Sequence, residues 1–185
     1  MKSLLCLGIT LVLFGLAGAA TPPARLASTH IDSLTLVKLL HLDEMMSRIV
    51  NQDAQQAFAA GRITEHQLTC LQTTPADFTE GVATVARTEL TSGELSSALA
   101  YLRSKDGRRF GEMTDTNRAT QPDMSSAEAA AFASFHASPA GTKLFKTSML
   151  MQTKGLDDFV GAHAIRVKAK CELTQPLQPP DDSTP

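Results

Sequence analysis

The sequence predicts an all-α protein: a compact bundle of about seven to eight short helices that contains two helix-turn-helix repeats. Three observations predict it. No stretch alternates apolar and polar residues over six positions, as a half-buried strand would. Apolar residues recur at helical spacing along most of the chain. Helix caps and stops (Thr64, Thr74-Pro75, Thr91, Ser125, Ser138-Pro139 and Gly61) fall at the edges of those periodic runs.

The elements follow in order. Leu34, Val37 and Leu40 share one face of a short first helix. A second runs from Leu42 through Met45, Met46, Ile49 and Val50 to about Ala60, and Gly61 offers its stop. Thr64 can cap a third helix carrying Leu68 and Leu71. Thr74 caps a fourth, with Pro75 at its first position and Phe78, Val82, Val85 and Ala86 on its apolar face. The last helix carries Phe159, Val160, His163 and Val167 on one stripe. Pro176, Pro179, Pro180 and Asp181-Asp182 make residues 174–185 a disordered tail.

The second half repeats itself at an offset of 34 residues. Glu94 corresponds to Glu128, Tyr101 to Phe135, Ser104 to Ser138, Gly107 to Gly141 and Arg109 to Lys143. The copies occupy residues 91–110 and 125–145. Thr91 and Ser125 stand three residues before their Glu, the spacing of a capping box. Leu95, Ala98, Leu99 and Leu102 form the core stripe of the first copy, and His136 occupies the place of Leu102 in the second. Ser104 and Ser138 cap the second helix of each unit, and Pro139 suits its first turn. A glycine there loses about 1 kcal/mol against alanine. Its use at both Gly107 and Gly141 predicts the close approach of another backbone. Two copies are too few for a solenoid.

The N-terminus predicts the compartment. Met1-Lys2-Ser3 is basic, Leu4 to Leu16 is apolar, and Ala17-Gly18-Ala19-Ala20 is small. These are the three parts of a secretory signal peptide. Residues 1–19 are assigned to it, with cleavage after Ala19 or Ala20. The run is shorter than the ~20 apolar residues of a spanning anchor. Residues 20–30 are expected to be a flexible segment, and 31–173 one helical domain. Cys6 leaves with the signal, and the net charge moves from −2 to −3 as Lys2 is removed. Two cysteines, Cys70 and Cys171, then remain in an exported chain, the pattern of one disulfide. Two buried thiols are the alternative.

Phe135-His-Ala-Ser-Pro-Ala-Gly-Thr-Lys143 resembles the F-Y-x-S-P-x-G-x-K signature of an exported Gram-negative family known only as a domain of unknown function. His136 stands where that signature has tyrosine, and Lys105 where the first copy would need proline. The resemblance implies an all-helical periplasmic protein and supplies no activity. Its structural motif is Ser104, Gly107, Ser138, Pro139, Gly141 and Lys143.

The remaining chemistry is sparse. His41, His66, His136 and His163 show no metal-ligand spacing. His136 and His163 are expected as hydrogen-bonded histidines of the core or its boundary rather than as ligands. Asp43-Glu44, Asp157-Asp158 and Asp181-Asp182 are neighbours that diverge by about 100° on a helix, so a solvated face is expected rather than an acid/base dyad. Ser138 with Lys143, or Ser104 with Arg108 and Arg109, could hold an anion, although capping alone accounts for them. Met45-Met46 and Met149-Leu-Met151 are expected in the core. No catalytic residue, cofactor or metal is expected, and a charge of −2 argues against a nucleic-acid partner. The sequence therefore favours a non-enzymatic periplasmic protein that binds a protein partner in the cell envelope, as an immunity or envelope-maintenance protein would. No stable membrane insertion is expected after signal cleavage. A carrier of a small apolar ligand is the alternative, and a hydrolase ranks third.

Overall fold

A computed structural model describes residues 23–110 and 124–173. The residues read as a signal peptide, with Cys6, and those read as a tail from 174 onward lie outside them. Among the described residues there is no strand. The helices are α1 (Pro23–Leu39), α2 (Leu42–Ala59), α3 (Glu65–Leu71), α4 (Ala76–Glu89), α5 (Ser92–Arg103), α6 (Ser126–Ala137), α7 (Pro139–Lys146) and α8 (Lys154–Lys170). The first helix is longer than expected. It starts at Pro23, inside the segment read as flexible, and its middle turns meet α4. Arg87 of α4 bonds His30 Nδ1 at 2.8 Å and the Ser33 hydroxyl at 3.0 Å.

The core is built around α4, whose Phe78, Val82, Ala83, Val85 and Ala86 are all buried. Leu36 and Val37 of α1 and Leu40 just beyond it meet it, with Leu95, Ala98, Leu99 and Leu102 of α5. Met46 is buried here, while Met45, Met149 and Met151 pack on its edge. A second, smaller cluster holds Ala54, Ala57, Ile63, Leu71 and Cys171.

Local chemistry sets the joints. Gly61 sits in the left-handed region at φ 67°. Its N–H donates to Phe58 O, and Arg62 N–H donates to Ala57 O, which closes α2 as a glycine-terminated helix closes. Thr64 and Gln67 form a capping box on α3. Pro75 already has helical dihedrals, so Thr74 starts α4 in effect, and Asp77 accepts from the Thr74 N–H at 2.7 Å. Asn51 pairs with Thr73 as a strand would, accepting from its N–H at 2.8 Å and donating to its C=O at 3.0 Å. This anchors the segment between α3 and α4 to α2.

The α1–α2 joint departs from expectation. His41 takes a left-handed backbone, φ 50° and ψ 32°, without being glycine. Such a residue is strained by about 1 kcal/mol or more. Asp43 just beyond it was expected on a solvated face, yet it is 0% exposed. The corrected picture has a physical reason: both carboxylate oxygens are bonded. Lys38 and the Thr79 hydroxyl (2.6 Å) donate to Oδ2, and the Glu44 N–H donates to Oδ1. The residue thus clamps α1, α2 and α4 together.

Burial alone would raise the Asp43 carboxyl. Hydrogen bonds from Lys38 and Thr79 with the Lys38 charge outweigh it and hold the group below the usual range. A depressed value in the folded state makes its contribution present above the unfolded value of about 3.9 and lost as pH falls through the folded one. Asp43→Asn is therefore expected to cost about 1–3 kcal/mol at pH 7. The penalty should shrink between pH 5 and pH 3. Urea unfolding at the two ends of that range measures it, and an equal penalty at both would contradict the sign.

Candidate functional site

The signature residues meet at the contact between the two repeats. Each copy starts with the capping box read from the sequence: Thr91 with Glu94, Ser125 with Glu128. Each ends its first helix on a serine that works in two directions. Ser104 Oγ donates to Tyr101 O at 2.7 Å and accepts from Gly107 N at 2.9 Å. Ser138 Oγ donates to Phe135 O at 2.6 Å and accepts from Gly141 N at 3.1 Å. The chain thus folds back so tightly that the glycine lies on the preceding carbonyl. A Cβ at Gly107 would stand 2.0 Å from Tyr101 O, and one at Gly141 1.9 Å from Phe135 O. The expected close backbone is the last turn of the preceding helix. Pro139 holds the first position of α7, where no N–H is needed.

The two copies then face each other about a local two-fold. Tyr101 and Phe135, which are equivalent, stack with ring centroids 4.2 Å apart and planes 11° from parallel. Lys143 of the second copy bonds Glu94 of the first at 2.9 Å. Arg109 of the first lies 3.9 Å from Glu128 of the second. These two pairs are the same pair viewed from either copy. Lys143 also donates to Glu89 O at 3.2 Å. The cation considered for an anion site is engaged inside the fold. The Lys143 bond, followed by the Thr91 N–H, keeps the Glu94 carboxyl below its usual range. The Ser125 N–H does the same for Glu128.

The copies differ in what covers them. The first-copy stripe Leu95, Ala98, Leu99 and Leu102 is buried under α1 and the core. In α6 only Phe135 is buried. Ala129, Ala133 and His136, equivalent to Leu95, Leu99 and Leu102, are exposed. His136 is therefore not a core histidine. Its ring lies against Phe145 at 4.5 Å and Phe132 at 6.1 Å, on the outside of an aromatic cluster. The reason is packing: among the described residues α1 covers α5 and does not cover α6.

His163 takes the expected boundary position but lacks the expected hydrogen bond at Nε2. Its ring sits 4.9 Å from Phe78, and its Nε2 is buried without a hydrogen bond. Burial, and then the Arg166 charge, push its pKa down, while Asp77 opposes them. It is neutral at pH 7, one face of a packing contact. His41 Nδ1 contacts Glu44 Oε2 at 3.1 Å. His66 is exposed.

Cys70 and Cys171 are joined, with sulfurs 2.06 Å and Cα atoms 5.7 Å apart. The bond ties α3 to the end of α8, and Gln67 Nε2 donates to Glu172 O beside it at 3.3 Å. No helix of the described residues is long and apolar enough to cross a membrane. Among them, no three His, Cys, Asp or Glu side chains gather as metal ligands do.

What the arrangement defines is a disulfide-tied helical bundle whose repeat motif is a packing device. Searches of protein-family models, curated proteins and solved structures find no match to the chain.

Proposed function

We propose that the chain is an exported, non-catalytic interaction protein of a Gram-negative periplasm, akin to the exported family whose signature it resembles. The observation that carries this reading is where the polar and apolar groups lie. Ser104, Ser138, Glu94, Glu128, Lys143 and Asp43 are engaged within the fold, while large apolar side chains stand at the surface: Ile31, Ile49, Phe58 and Ile165. Exposed aliphatic groups on a small rigid bundle suit a protein surface better than a reaction centre. A disulfide closing a long loop fits an oxidising compartment. The basic, apolar and small-residue order of the first twenty residues supports export.

Native mass spectrometry on protein recovered from the periplasm tests the reading. The expected chain starts at Ala20 or Thr21, carries one disulfide and holds a protein partner. A retained small molecule would make it a carrier instead. A species keeping Met1 to Ala19 would overturn export.

A further inference from the structure

Among the described residues the most exposed large apolar side chain is Ile165, at 72%. It lies on the outer face of α8, and Lys168, Ala169, Glu172 and Leu173 line a shallow, largely apolar groove beside it. One turn before Ile165 is Gly161, where an added Cβ would meet nothing within 4 Å. The same face carries Lys154 and Asp158, which pair along the helix at 2.5 Å and are both well exposed. Its first half thus ends acidic, with Asp157 and Asp158, and its second half is basic, with Arg166, Lys168 and Lys170. The helix dipole accounts for that order of charge. It does not account for an isoleucine at the centre.

We infer that this outer face of α8 is the contact with a second copy of the chain, docked antiparallel across a two-fold. The spacing supports one register. With the axis level with His163, Gly161 of each copy falls opposite Ile165 of the other. In that register Asp158 falls opposite Lys168. Asp158, Gly161, Ile165 and Lys168 all lie within α8 and within about 80° of arc on an ideal helix, so they belong to one face. A two-fold contact must match itself, and this face does so in both shape and charge: a glycine notch for an isoleucine knob, and Asp158 for Lys168. The contact is one helix long, so the dimer is a weak one, in the micromolar range. The inference shares the exposed Ile165 with the reading above, but its match of shape and charge would stand without an envelope partner.

Sedimentation velocity of the mature, disulfide-bonded chain tests it. Dimer is expected at about 100 µM and monomer at about 1 µM. Ile165→Glu should weaken the dimer at least about tenfold, with helical circular dichroism and melting unchanged because the side chain is exposed. Asp158→Lys or Lys168→Asp alone should weaken it about fivefold, and the two together should restore it. A monomer at every concentration overturns the inference. So does a dimer indifferent to Ile165→Glu, or a double reversal no better than the single ones.

Discussion

Removing the disulfide, with Cys70 and Cys171 both changed to alanine, is expected to lower the unfolding free energy by about 3–4 kcal/mol. The two cysteines are 101 residues apart, so the cut releases a long loop in the unfolded chain. The chain-entropy value for such a loop is about 4–5 kcal/mol, and measured values usually fall short of it. The melting temperature should drop by about 10 °C, at about 2–4 °C per kcal/mol for a domain of this size. The loss should also be local. The second cluster holds five buried residues, and α8 contributes only Leu156 of its own to the buried set. A seven-residue α3 does not stay helical without docking. Hydrogen exchange should therefore accelerate first in α3 and the second half of α8, with α4 and α5 unchanged. A change below about 1 kcal/mol, or uniform exchange, would show that packing alone holds these ends.

Gly141→Ala is expected to cost about 3 kcal/mol, and Gly107→Ala a similar amount. At both positions the added methyl meets a backbone carbonyl at about 2 Å, and a carbonyl inside a helix cannot swing away. The serine cap must open, or α7 must move off α6. Either movement pulls Lys143 from Glu94 and separates the stacked rings. Gly93→Ala is the control. Its site is open, and the change should be neutral or stabilising by up to about 1 kcal/mol. Gly81→Ala should fall between, because its Cβ meets the ring of Phe159, a side chain that can turn. Urea unfolding of the four variants ranks them. Equal values for Gly93 and Gly141 would refute the close-contact account.

The fold was legible where a residue's role is local. The stop at Gly61, the boxes at Thr64, Thr91 and Ser125, and the serine caps all follow from hydrogen bonds within a few residues. The disulfide was legible because only two cysteines remain once Cys6 is assigned to the expected signal peptide. Asp43 was misread because its partners are Lys38 on the previous helix and Thr79 on α4, and periodicity says nothing about which helix lies alongside. His136 was misread for the same reason: the repeat makes it equivalent to Leu102, but only one copy is covered by α1. The reciprocal ion pairs went unread, although the signal was present. Glu and a cation recur in both copies at one spacing, which fits partners held between copies as readily as within one.

The local two-fold has a consequence for the order of the chain. Each copy contributes the same groups to the contact, a ring on the axis, an acid at its cap and a base beyond its glycine. The contact is therefore blind to which copy comes first. A chain with residues 91–110 and 125–145 transposed would still stack tyrosine on phenylalanine and close both ion pairs. The coat of α1 would tell the two apart, because it is fitted to the leucines of one copy and not to the alanines of the other.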